Sequence, residues 1–150
     1  MKTIKLIPYE TTKREDAQEL VDIVLKYYPN TAFPPTLEKM LKTGVKYFRA
    51  MLDDKQIGIT GYDLKTPALA ETVKTIVFDE FRGQKLGALL SQAIEDECRR
   101  IGIKKVMTTI YHFNHVMISI KLKQGYTIEG YHPDHEAPGF HEYSLGKRLL

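Results

Sequence analysis

Residues Val77 to Gly87, read as V-F-D-E-F-R-G-Q-K-L-G, join a strand-like run to a helix through a glycine-containing turn. The first N–H groups of a helix have no partner inside it, and that end carries partial positive charge. Glycine at such a turn lets the backbone close on an anion, so this stretch suits a phosphate or pyrophosphate. The plainer reading is an ordinary strand-to-helix turn, because short glycine motifs are common. A second group of reactive residue types is His132, Asp134, His135, Glu136, His141 and Glu142. Metal ligands need rigid geometry. Pro133, Pro138 and Gly139 interrupt this segment. It reads as a polar loop, and no metal is expected.

The elements that must position these residues follow from periodicity. Thr3 to Pro8 alternates as a first strand. Thr12-Lys13-Arg14-Glu15 has the pattern of a capping box, and Ala17, Leu20, Val21, Val24 and Tyr28 recur at helical spacing. Thr36 is placed to cap a short helix carrying Leu37, Met40 and Leu41. Tyr47–Leu52 and Ile57–Leu64 read as strands joined by Asp53-Asp54-Lys55-Gln56, and Ala70–Phe78 as a longer strand. Leu86, Leu89, Leu90, Ala93, Ile94 and Ile101 make the apolar stripe of a helix that ends near Gly102. Strand Ile103–Ile110, a helix capped by Asn114, and strands Gly125–Tyr131 and Phe140–Leu145 complete the chain. The order β-α-α-β-β-β-α-β-α-β-β predicts an α/β (α+β) fold with helices on the faces of a sheet.

Length and composition set the outer bounds. A chain of 150 residues, 43% hydrophobic and 27% charged, is the size and composition of one globular domain, here 1–150. No apolar run is long enough for a membrane span, and Met1–Leu6 lacks a signal-peptide core. Cys98 is the only cysteine, so no internal disulfide can form, and a cytoplasmic location is the default. The net charge of +3 is too small to argue for nucleic acid. The phosphate-binding string G-x-x-x-x-G-K-[ST] is absent.

Three segments together resemble the GNAT N-acetyltransferase superfamily, over nearly the whole chain. Val77–Gly87 is similar to that family's acyl-CoA pyrophosphate loop, V-x-P-x-[YF]-R-G-x-G-x-G/A. Asn114-x-x-Met117-x-x-Ile120-x-x-Lys123-x-Gly125-Tyr126 is similar to its N-x-x-[AM]-x-x-[LI]-x-x-[KL]-x-G-F segment. Asp53–Gly58 resembles its acidic hairpin between the second and third strands. The resemblance implies a mixed sheet of about seven strands with about four helices and a splayed acyl-CoA cleft. Two departures stand out. Asp79 occupies a position where proline is frequent, and Lys85 replaces the middle glycine. A lysine there is expected to keep φ below zero. Its ammonium then either faces the pyrophosphate or points to solvent.

The resemblance also implies chemistry. Acetyl-CoA, as cosubstrate, would lie between the strands Ala70–Phe78 and Ile103–Ile110. Its pantetheine would pair with the backbone of Ile76, Val77 and Phe78, and its pyrophosphate would meet the amides of Arg82, Gly83, Gln84, Lys85, Leu86, Gly87 and Ala88. Asn114 either donates to the pantetheine or caps its helix. A primary amine then attacks the thioester directly, with a base to neutralise it. Glu71 is the candidate base, because some family members carry a glutamate at the matching strand position. On an unbroken strand it shares a face with Val73, Thr75 and Val77. Many members carry an acid tyrosine where this chain has Lys121, so Tyr111 and Tyr126 are candidates by chemistry. Lys121 is expected to contact CoA phosphate or stay exposed. A non-catalytic acyl-CoA-binding or regulatory domain is the alternative reading. Acceptors from polyamines to protein N-termini stay open, and family members often pair as homodimers.

Overall fold

A computed structural model describes residues 2–149. Seven strands form one sheet in the order β1-β2-β3-β4-β5-β7-β6. β1 (Lys5–Pro8), β2 (Lys46–Leu52), β3 (Lys55–Thr66) and β4 (Leu69–Val77) pair antiparallel in turn. β5 (Lys105–Tyr111) runs parallel to β4. A parallel neighbour requires a crossover connection. Here it consists of a 3₁₀ turn, Asp79–Phe81, and the helix Leu86–Arg100. β7 (Glu142–Arg148) lies between β5 and β6 (Thr127–His132), antiparallel to both. The mixed sheet, the four α-helices and the order of elements are those expected from the sequence.

α1 (Arg14–Tyr27) and α2 (Leu37–Leu41) cover one face of the sheet. Ala17, Leu20, Val21 and Val24 pack with Met40 against Tyr47, Ile59 and Ile76. Arg49 of β2 ties α1 down through Asp16 at 3.0 Å and Glu19 at 3.2 Å, and it stacks over the Tyr9 ring. α3 (Leu86–Arg100) covers the other face, where Ile94 and Cys98 meet Phe48, Tyr62, Ala70 and Val106. α4 (His115–Lys123) packs beside α3. Among the described residues no helix is long and apolar enough to cross a membrane.

Local details depart from the sequence reading at informative places. Lys13, not Thr12, is the N-cap of α1 and makes no side-chain cap; Asp16 instead accepts from the Glu10 N–H at 2.7 Å. Thr36 does cap α2, accepting from Lys39 at 3.2 Å. Asp53 and Asp54 both have positive φ, which gives the tight two-residue turn that suits a hairpin's twist. The buried stripe of α3 is Leu86, Leu90, Ser91, Ile94, Glu95 and Cys98. Leu89 is 37% exposed and Ile101 38%. Polar Ser91 and Glu95 take their place because lysines reach them, buried Lys121 from α4 and half-buried Lys147 from β7.

The largest departure is in β4. Gly61 pairs with Val73 but Ile59 with Ile76, so β4 holds one more residue than β3 between those two points. This is a β-bulge, with Lys74 at φ 50 as the left-handed residue. The extra residue breaks the alternation. Val73 and Ile76 both face the α1 side, whereas Thr75 turns to the α3 side and meets the Thr60 hydroxyl at 3.0 Å. Glu71 therefore shares a face with Val73 and Ile76, not with Thr75 and Val77 as unbroken alternation predicts.

The bulge also demands a glycine. A Cβ at Gly58 would collide with the backbone carbonyl of Ile76. Because backbone cannot yield as a flexible side chain does, Gly58→Ala should cost about 1–3 kcal/mol of stability in denaturant unfolding. A loss near zero would show that β4 can lift off β3 without penalty.

Candidate active site

β4 and β5 are paired only where Leu69–Glu71 meet Lys105–Met107. Beyond that they separate, and a side chain bridges the start of the gap: the Thr108 hydroxyl donates to the Thr72 carbonyl at 3.2 Å. Two adjoining cavities open there. The larger, about 900 Å³, runs between Thr75–Val77, the start of α3, and Val116, Met117, Ile120, Lys123 and Gln124 at α4. Tyr27 and Tyr28 close its other side. The smaller, about 200 Å³, lies in the fork between the strands. Tyr28, Thr75, Asn114 and Met117 line both.

The start of α3 is built to leave amides free. Asp79 donates its N–H to the Tyr27 hydroxyl at 2.9 Å, a bond that a proline could not make. Arg82 folds back, its Nε donating to the Val77 carbonyl at 3.2 Å and its guanidinium lying over Tyr27. Gly83 has φ 80, and a Cβ there would meet nothing within 4 Å. Lys85 is the N-cap, with φ 60, ψ 23 and no side-chain cap bond. It is thus left-handed, contrary to the expected negative φ. The turn keeps the shape that a glycine would give it and places a lysine in that shape. The first amides of α3 consequently point into the larger cavity with no side chain to satisfy them.

Ile76, Val77, Arg82, Gly83, Lys85, Leu86, Gly87, Ala88 and Asn114 all line the larger cavity. Gln84, Phe78 and Lys121 do not. The Phe78 ring instead stacks on Tyr27, with centroids 6.0 Å apart. Asn114 caps α4, accepting from the Met117 N–H at 3.2 Å. Sequence reasoning missed Tyr27, Tyr28, Val116 and Gln124. Val116 is an apolar residue 73% exposed on the cavity wall, a signal that only the structure carries.

The smaller cavity gathers charge. Glu71, Lys74, Tyr111, Lys121, Glu136 and Glu142 line it. Glu71 is 3.8 Å from Lys65. Tyr111 donates its hydroxyl to Glu136 at 2.5 Å, and burial followed by that bond pushes its pKa well above the ordinary value. Thr31 of the α1–α2 connection lies near this hydroxyl and opposes the rise. Tyr126 is set apart. It is 4% exposed, lies under the Lys121 and Lys147 ammoniums and lines neither cavity. Lys121 is neither exposed nor near the α3 turn. It is 2% exposed, and its ammonium donates to Ser91 Oγ at 2.6 Å. Ser91 donates onward to Gln124 at 2.7 Å, and Gln124 donates to the Ala88 carbonyl at 2.8 Å. Burial pulls the Lys121 pKa down to about 8. Among the described residues no three His, Cys, Asp or Glu side chains converge as metal ligands would.

Residues 15–126 match the family model described as the acetyltransferase (GNAT) family. No curated protein matches the chain in sequence. The fold is similar to that of a Bacillus subtilis acetyltransferase in complex with CoA (TM-score 0.76, 17% identity, all of both chains). It is also similar to aminoglycoside 6′-N-acetyltransferase from Enterococcus faecium (0.73, 14%, 97% of each chain). A third similar structure is ribosomal-protein-alanine N-acetyltransferase from Brucella melitensis (0.73, 17%, 97% of this chain and 99% of that one). Likeness at such identities shows the fold, and the acceptors for which the last two are named differ.

Two stability predictions follow from the lysines. A left-handed non-glycine residue costs about 1–2 kcal/mol, and glycine's extra unfolded-state freedom returns about half of that. Lys85→Gly should therefore raise stability by about 0.5–1 kcal/mol in denaturant unfolding. A loss instead would show that the lysine side chain stabilises the turn.

Lys121 should behave oppositely to a normal surface lysine. Its folded pKa, about 8, lies below its unfolded value. Below pH 8 it is charged in both states and the whole burial penalty applies. Between there and its unfolded pKa the unfolded chain binds more protons, so stability recovers as pH rises. Lys121→Met should stabilise the protein at pH 7 by about 2 kcal/mol, allowing about 1 kcal/mol for the lost Ser91 bond. That gain should shrink by pH 10. A destabilised variant at pH 7 would contradict this.

Proposed function

Since this chain belongs to the GNAT acetyltransferase family, we propose that it transfers the acetyl group of acetyl-CoA to a primary amine by direct attack, within a single domain. The observation that carries this reading is the fork between β4 and β5 beside the uncapped start of α3. A diphosphate needs converging N–H donors, and the amides from Gly83 to Ala88 supply them at a positive helix end, the Arg82 N–H being taken by the Asp79 carbonyl. A Cβ at Gly83 would point into open space, so the backbone there can be approached closely. The exposed side chain of Val116 gives an apolar wall to a long thioester arm. Past the bulge, the β4 backbone from Val73 to Val77 has no β5 partner, which leaves polar groups for that arm to pair with.

Bound acetyl-CoA supplies an activated acyl group whose carbonyl oxygen gains negative charge when attacked. An amide of the unpaired β4 edge stabilises that charge. The smaller cavity takes the acceptor, walled by Tyr111, the α1–α2 connection and the β6–β7 connection. One of its carboxylates, with Glu71 the one to which the sequence points, receives a proton from the amine. Lys121 borders the same cavity and keeps N–H groups beyond the one given to Ser91, so it can protonate the departing sulfur.

Release of free thiol from acetyl-CoA, measured against a panel of amines, tests the reading. Amine-dependent release should occur with at least one aliphatic amine, and an acetylated product should match it mole for mole. Tight CoA binding with no release under any amine would instead favour an acyl-CoA-binding or regulatory role.

A further inference from the structure

Glu142 is the first residue of β7 and stands opposite Tyr111 in the β5–β7 register. It is a carboxyl group only 4% exposed, yet it lines the smaller cavity. Glu136, from the β6–β7 connection, lies against it and is held in place by the Tyr111 hydroxyl. Tyr111 in turn is packed by the rings of Phe113 and Phe140, at 5.3 and 5.6 Å. Two lysines line the same cavity, and among the described residues neither forms an ion pair with these carboxyls: Lys121 donates to Ser91, and Lys74 lies over the Tyr28 ring. The pair is thus a carboxyl dyad at the end of the fork, with Glu142 buried and Glu136 half-buried. Such a dyad holds one proton between two oxygens and readily takes up positive charge.

We propose that Glu142, paired with Glu136, takes the proton from the acceptor, and that the acceptor is an aliphatic amine arriving as its ammonium ion. This rests on the acetyl-transfer reading above. Glu142 Oε removes one proton from the ammonium and leaves the amine lone pair free. That pair forms the bond to the acetyl carbon. The carbon–sulfur bond breaks with its electrons going to sulfur, which receives a proton from Lys121. The remaining excess proton on nitrogen returns to Lys121 through solvent, and Glu142 releases its proton to solvent. Glu71 is less suited, because Lys65 already answers its charge.

The groups that face Glu142 are Glu71 and Lys74 from β4, Thr109 and Tyr111 from β5, and Glu136. Burial first, and then the neighbouring carboxyl of Glu136, raise its pKa to about 7; Glu71 adds to the rise and Thr109 opposes it. The value belongs to the pair. Below that pH the pair keeps its proton and cannot accept another, so kcat/KM should fall as pH drops through about 7.

The test is the pH profile of amine-dependent thiol release for the wild-type protein, Glu142→Gln and Glu136→Gln. Glu142→Gln should lower kcat/KM by about 10²–10⁴-fold while acetyl-CoA affinity stays within a few-fold. Glu136→Gln removes the neighbouring charge, so its acidic limb should move toward the ordinary carboxylate range. A merely structural role would not move that limb. A carboxyl-carbon NMR titration without any substrate gives an independent reading: one glutamate carboxyl should titrate near neutral pH, and this should move down in Glu136→Gln. Wild-type rate and an unmoved limb in Glu142→Gln would overturn the base assignment alone. No thiol release by the wild-type protein with any amine would overturn the acetyl-transfer reading and the base with it.

Discussion

The separation of β4 from β5 is the constraint on which the rest depends. Parallel strands normally stay paired, because each unpaired backbone group in the interior costs free energy. Here pairing stops after Glu71 and Met107. The bulge at Lys74 bends β4 toward β3, close enough that only glycine fits at position 58. A threonine hydroxyl closes the fork at Thr72, and everything beyond is open edge. The crossover then sets the free amides of α3 beside that edge. Neither feature makes a site alone; side by side they border two adjoining cavities, one beside the free amides of α3 and one in the fork between the strands.

Two lysines, Lys74 and Lys85, hold left-handed backbone at the two bends that shape these cavities. Such residues are strained, and strain of this kind tends to gather at working sites. Buried charge tells a similar story. Lys121 is nearly solvent-free and its one hydrogen-bond acceptor is a hydroxyl, while Glu142 is buried against another carboxyl. Neither arrangement is what stability alone would choose. Their effects push an ammonium and a carboxyl toward the same pH range, the condition under which both can exchange protons. The smaller cavity therefore holds a carboxyl and an ammonium whose pKa values are drawn toward each other.

Much of this was legible in the sequence. Periodicity gave the element order, because apolar stripes and alternation report burial directly. The α3 turn was legible because the glycine turn stands between a strand and an apolar-striped helix and is followed by the Asn114 segment. The face of Glu71 was not, since a bulge adds one residue without a composition signal: Lys74 is not glycine. The sign of φ at Lys85 was missed for the same reason, with a lysine taking a shape usually reserved for glycine. Lys121 was misjudged because charged residues are mostly exposed, and only packing against Ser91 and Tyr126 reveals its burial. Glu136 and Glu142 were visible as part of a polar segment, but their meeting depends on β7 inserting between β5 and β6.

The central claim is that the fork and the α3 turn form one acyl-CoA site. Backbone amide shifts during an acetyl-CoA titration test it most directly. The account predicts saturable shifts at Gly83 to Ala88 and at Ile76 to Phe78 together, with the same midpoint. Shifts confined to other surfaces, or none at saturating acetyl-CoA, would contradict it.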